Sequence, residues 1–192
     1  MALRCFIAIE IPEGIRGHLS DIANILMKSG ADVKWVSPEN IHLTLQFLGI
    51  TEEALIPKIK EALDKILAPY LPFYIKILDV GCFPDGRRPR VVWLGVEESQ
   101  PLRNLYKDIA DAMEKLGYKK EEREFTPHVT IGRVKSNRNI LALARKLEEV
   151  RSVRFSDFEV RNITLMKSEL KPSGAKYYSL AEIPFGGRSN VS

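Results

Sequence analysis

Two short stretches, His42-Leu43-Thr44-Leu45 and His128-Val129-Thr130-Ile131, share one form: a histidine, any residue, a threonine and an apolar residue. In an extended strand successive side chains alternate faces, so each His and its Thr emerge on the same side, about 6 to 7 Å apart along the strand. Ile41, Leu43, Leu45 and Phe47 are then expected to face a core, and His42, Thr44 and Gln46 to face something wet. Around the second motif Val129 and Ile131 take the core side, and His128 and Thr130 the wet one. One such tetrad is weak evidence, because a His beside a Thr on a half-buried strand is more often structural. The chain holds only three His and five Thr, however, so random placement would give two His each followed by Thr two residues on with a chance of about 0.2%.

Imidazole titrates near neutral pH, so a neutral and a protonated His can coexist, one as general base and the other as general acid. That pairing suits in-line displacement at phosphorus, where the entering oxygen loses a proton as the leaving oxygen gains one from the opposite side. The Thr hydroxyls can donate hydrogen bonds to the non-bridging oxygens, whose charge is redistributed in the transition state. Neither motif carries the carboxylates that commonly accompany a divalent ion, and no nucleophile elbow marks a Ser/His/Asp hydrolase. No metal and no cofactor is therefore expected. Cys5 and Cys82 are isolated, without C-x-x-C spacing or a His cluster, and read as buried thiols rather than zinc ligands.

The remaining composition bounds the partner. A chain of 192 residues with 45% hydrophobic content suits one compact domain or two closely packed lobes. The apolar start is too short for a signal segment and is interrupted by Arg4 and Glu10. No run approaches the ~20 apolar residues of a membrane span, so a soluble, cytoplasmic protein without a membrane partner is expected. The balance of 29 Lys+Arg against 25 Asp+Glu, a net charge of +4, favours an anionic partner without demanding one. Arg87-Arg88-Pro89-Arg90, after the turn Pro84-Asp85-Gly86, could hold a polyanion beside a cleft, and Lys167, Lys171 and Lys176 form a second basic stretch. Both are equally compatible with ordinary solvated charge.

The elements that must position the motifs follow from hydrophobic periodicity and from Gly and Pro punctuation. Leu3 to Glu10 reads as a buried strand, followed by a helix from Pro12 with the stripe Ile15, Leu19, Ile22, Ala23 and Leu26, ended by Gly30. Then come Lys34 to Val36, the first motif strand from Ile41 to Gly49, a helix from Glu52 to Leu67, and a strand from Phe73 to Val80. A strand from Arg90 to Val96, a helix from Pro101 to Leu116 with Gly117 as its stop, and the second motif strand from Pro127 to Val134 come next. A helix from Asn137 to Val150, a long strand region from Val153 to Met166, and a last strand from Tyr177 to Ile183 complete the chain. The order strand, helix, motif strand, helix, strand occurs twice, over roughly 3–80 and 90–166. An offset of 87 sets Ile22 on Ile109, Ala23 on Ala110, Leu26 on Met113 and Gly30 on Gly117, while the motif histidines differ by 86 (128 − 42). Two lobes related by an approximate twofold would face their wet strands across a groove, so that both His converge on one ligand.

The whole chain resembles the two-histidine phosphoesterases, specifically the bacterial and archaeal RNA 2′,3′-cyclic phosphodiesterase branch, also called RNA 2′,5′-ligase. The resemblance is carried by residues 6–12, by Trp35 to Leu45, by Gly81-Cys82-Phe83-Pro84 with Arg88 to Val91, by Phe125 to Ile131 with Arg133, and by Leu165 to Leu170. It implies a bilobal α+β fold of two pseudo-twofold-related antiparallel sheets flanked by helices, with a central groove. It also implies hydrolysis of RNA 2′,3′-cyclic phosphate ends to 2′-phosphomonoesters, and a weak capacity for 2′,5′ ligation. By the same resemblance His42 is the proton donor, His128 the proton acceptor, and Thr44, Thr130 and Arg133 bind the phosphate. The expected partner is an RNA with a 2′,3′-cyclic phosphate end, acted on by a monomer.

Simple alternation puts Arg133 on the face opposite His128. A bulge or strand end between Gly132 and Arg133 would reconcile the two, since a glycine in a strand often marks such a place. The counterpart of Arg133 after the first motif is Phe47, which predicts a chemically asymmetric groove. His18 lies on the first helix, away from both motifs. Two other readings remain open: a non-catalytic RNA-end binding module, and a phosphodiesterase acting on a small cyclic or 2′,5′-linked nucleotide.

Overall fold

The computed structural model of the protein describes residues 2–85, 88–152, 155, 157–171 and 174–186. Strand β1 (Ala2–Glu10) leads through Pro12 into helix α1 (Glu13–Met27), which buries Ile15, Leu19, Ile22, Ala23 and Leu26. Gly30, at φ +64, supplies the left-handed turn that ends this segment. After β2 (Val33–Trp35) and a 3-10 turn at Pro38–Asn40, the first motif opens β3 (His42–Glu52). The strand runs farther than its sequence suggests, and a 3-10 turn at Glu53–Leu55 precedes α2 (Ile56–Leu67).

The expected strand from Phe73 to Val80 is two strands, β4 (Phe73–Ile75) and β5 (Ile77–Phe83). Then follow β6 (Val91–Val96), α3 (Gln100–Lys115), β7 (His128–Val134) and α4 (Ile140–Glu149). The start of α3 is capped by Ser99, whose side chain accepts from the Leu102 N–H. The last strands are β8 (Phe158–Val160), β9 (Asn162–Lys171) and β10 (Gly174–Pro184). Of the expected long strand region, Val153, Arg154 and Ser156 lie outside the described residues, as do Gly86 and Arg87 of the basic turn.

The α+β architecture is as expected, with one difference in the sheets. Eight strands form one curled antiparallel sheet in the order β10-β9-β1-β3-β7-β6-β5, with β2 also on β7, while β4 and β8 make a separate two-stranded sheet. Among the described residues β3 and β7 join through the pair Leu43 and Val129 alone, so the large sheet consists of two half-sheets that splay from this seam. β2 takes up the edge of β7 past the seam, at Gly132 to Val134.

The half-sheets do not follow the two halves of the sequence. β5, which follows the first motif, pairs with β6, whereas β9, which follows the second motif, pairs with β1. The helices cross over likewise: α2 and α3 pack together behind β10 and β3, and α1 and α4 lie together on the side of β7. Each lobe is thus built from both halves of the chain. The core lies between sheet and helices, where Leu43, Ile59, Leu63, Leu94, Leu105, Val129 and Leu165 are wholly buried.

Gly132 lets β2 close on β7. A Cβ at this position would lie 2.8 Å from Val33 Cγ1 and 2.9 Å from the Trp35 ring. Gly132→Ala should therefore overpack the contact between β2 and β7 and cost about 1–3 kcal/mol. Urea unfolding measures this, and an unchanged midpoint would show that β2 shifts freely.

Candidate active site

The seam pair fixes the site. Leu43 and Val129 are buried on the core side, and each is the residue between its motif's His and Thr. Extending the antiparallel register by one residue each way sets His42 across from Thr130 and Thr44 across from His128. All four side chains are half-buried on the other face, in the groove between the splayed half-sheets.

Both imidazoles are held in the same way. His42 Nδ1 lies 2.8 Å from the Asn40 carbonyl oxygen, and His128 Nδ1 lies 2.7 Å from that of Thr126. A carbonyl oxygen only accepts, so Nδ1 carries the proton in each ring and Nε2 is the atom that can take up or give one. Each ring also meets an aromatic edge: Tyr177 on β10 packs against His42 at 5.1 Å and 88°, and Phe83 on β5 against His128 at 5.1 Å and 82°. Phe6 adds a second contact to His42, at 4.8 Å. Sequence reasoning did not find Tyr177 and Phe83 as ring supports, because their strands enter the site only through the curl of the sheet. The carbonyl acceptors leave no residue signature at all.

Strand alternation fails after each Thr, at equivalent places. On β7, Trp93 pairs with Thr130 but Val92 with Gly132, so Ile131 is an extra residue, and Val91 then pairs with Arg133. Residues paired across strands share a face, so this bulge returns Arg133 to the face of His128 and Thr130. It lies just before Gly132, one step earlier than the glycine suggested. On β3, Ala8 pairs with Thr44 and Ile7 with Gln46, which makes Leu45 the extra residue. The expected faces of Gln46 and Phe47 are therefore reversed: Gln46 is 7% exposed on the core side and Phe47 is 66% exposed on the groove side. The groove thus carries Phe47 where its other wall carries Arg133.

Burial, and secondarily the positive charge of Arg133, hold the His42 imidazole below its ordinary value, against the opposing effect of the Asn40 carbonyl. Lys167 and Lys171 are both paired with Glu169, at 2.8 and 3.7 Å, and both lie over the Tyr178 ring. Arg90 is bound through its backbone to Phe83 and Val134, and its register puts it on the face opposite Arg133. Arg88 is exposed, its N–H donating to Asp85 Oδ1. His18 is exposed on α1. Burial pushes the Cys5 and Cys82 thiols up, which makes them poor nucleophiles. Among the described residues no three His, Cys, Asp or Glu side chains converge as a metal site, and no helix is long and apolar enough to cross a membrane.

The model of the 2'-5' RNA ligase superfamily matches residues 12–172, which include both motifs. The chain belongs to this superfamily. Among its curated relatives, the RNA 2',3'-cyclic phosphodiesterase of Methanothermobacter thermautotrophicus is 39% identical over 92% of this chain and 96% of its own. That of Aquifex aeolicus is 42% identical over 80% of this chain and 82% of its own. The likeness extends to the fold: the crystal structure of TT0787 of Thermus thermophilus superposes with a TM-score of 0.82, at 26% identity, over 97% of this chain and 100% of that one.

Because Arg133 depresses His42, Arg133→Gln should raise the imidazole pKa. Ring C–H chemical shifts followed by NMR against pH check the direction, and an unchanged midpoint would place Arg133 away from His42.

Proposed function

We propose that this protein is an RNA 2′,3′-cyclic phosphodiesterase that opens cyclic phosphate ends to 2′-phosphomonoesters by paired histidine catalysis. The observation that carries this reading is the matched pair of imidazoles, each clamped at Nδ1 and each beside the other motif's Thr. In the forward step His128 Nε2 takes a proton from water as the water oxygen bonds to phosphorus. The bond from phosphorus to the 3′ oxygen breaks, and His42 Nε2–H gives that oxygen its proton. Thr44, Thr130 and Arg133 hold the non-bridging oxygens.

The depressed pKa of His42 opposes an acid role in the free enzyme. A bound phosphate offsets the charge of Arg133 and favours the imidazolium, so the proton is loaded with the substrate. If a 5′-hydroxyl of a second RNA replaces water, the same two transfers give a 2′,5′ bond. Both histidines come from one chain, so a monomer suffices. The curated relatives' names support RNA over a small nucleotide as substrate, and two imidazoles clamped alike at Nδ1 exceed what a binding module needs.

His42→Ala and His128→Ala should each lower kcat by about 10²-fold or more without unfolding the protein. A substrate with a good leaving group in place of the 3′ oxygen should rescue His42→Ala far more than His128→Ala. Phosphorus NMR should identify a 2′-phosphate product; a 3′-phosphate would reverse the assigned roles. Thr44→Val and Thr130→Val should lower kcat more than they raise KM. A change in KM alone would leave these hydroxyls only a ground-state role.

A further inference from the structure

A second cation continues the line from the motif to Arg133. On β2, Lys34 pairs in register with Arg133, so both side chains leave the same, groove-side face of adjacent strands. Strands lie about 4.8 Å apart, which puts Lys34 one step farther from the His pair than Arg133. Its ammonium end reaches the opposite wall: a Cβ on Gly174, the first residue of β10, would lie 3.2 Å from Lys34 Nζ and 3.4 Å from Cε. The same end of β10 is tied down by Asn40 Nδ2, which donates to the Ala175 carbonyl at 3.1 Å. Lys34 therefore reaches from β2 to the start of β10. Among the described residues no carboxylate is paired with Lys34 or Arg133, in contrast to Lys167 and Lys171.

We propose that Lys34 binds the phosphodiester on the 5′ side of the terminal nucleotide, one phosphate removed from the reacting one, and so makes the enzyme prefer an RNA end to a mononucleotide. This rests on the phosphodiesterase reading above. A terminal nucleotide whose cyclic phosphate meets Arg133 carries its next phosphate at the other end of the ribose. The next cation on the groove face is the group placed to meet it. Lysine suits the task, since an ammonium acts as a point charge on a phosphate without fixed bidentate geometry. Lys34 is a binding residue here and takes no part in proton transfer.

The test compares three substrates: adenosine 2′,3′-cyclic phosphate, the adenylyl dinucleotide with a 2′,3′-cyclic phosphate end, and the same dinucleotide with an uncharged methylphosphonate linkage. Lys34→Met should lower kcat/KM on the charged dinucleotide by about tenfold, chiefly through KM, and by less than about twofold on the mononucleotide. On the methylphosphonate substrate the wild type should already show that loss, and Lys34→Met should add nothing. Lys34→Arg should keep most of the preference, and the salt dependence of dinucleotide KM should weaken in Lys34→Met. Equal losses on all three substrates would place Lys34 at the reacting phosphate, and no loss on the charged dinucleotide would remove it from the site; either result overturns the proposal. Folded wild-type protein inactive on all three would instead overturn the reading of the reaction itself.

Discussion

The pairing of Leu43 with Val129 is the constraint on which the groove depends. Both side chains are fully buried, so the hydrophobic effect fixes which way the two strands face at their meeting point. The polar residues on either side must then emerge together on the other face. Because the strands splay after this pair, a cleft opens where a continuous sheet would have left a flat surface. A substitution that loosened the seam would displace both histidines and both threonines at once, without touching any of them.

Much of this was legible in the sequence. Helix stripes such as Ile15, Leu19, Ile22 and Leu26 have a period that burial against a sheet imposes, and the motif residues have the period of a strand. What alternation could not show was the extra residue in each motif strand. Gly132 hinted at the bulge on β7, but nothing about Leu45 distinguishes it from an ordinary inward strand residue, so alternation alone puts Gln46 and Phe47 on the wrong faces. Lys34 was equally invisible: a lone lysine on a three-residue strand acquires meaning only from the partner across the ladder.

The two walls share a frame but differ in chemistry. Both bulges fall three residues after the motif His, and both rings use the same backbone acceptor and an aromatic edge. Into equivalent positions the chain places an exposed aromatic, Phe47, and a cation, Arg133. A symmetric grip would be indifferent to the direction of its ligand. Unequal walls would favour one orientation of whatever ligand the groove takes.

The exchange of strands between the halves also affects how the protein is made. β1 leaves the ribosome long before one of its two neighbours, β9, which is separated from it by both motifs and all four helices. The half-sheet that carries His42 therefore stays incomplete until β9 has been made, with one edge of β1 open to wrong pairing. Contacts of such sequence separation slow folding, because the closure of a long loop precedes any gain from the pairing. The nascent chain is thus exposed to aggregation until β9 is in place, and a cut between the two motifs would leave two fragments that each lack a partner strand.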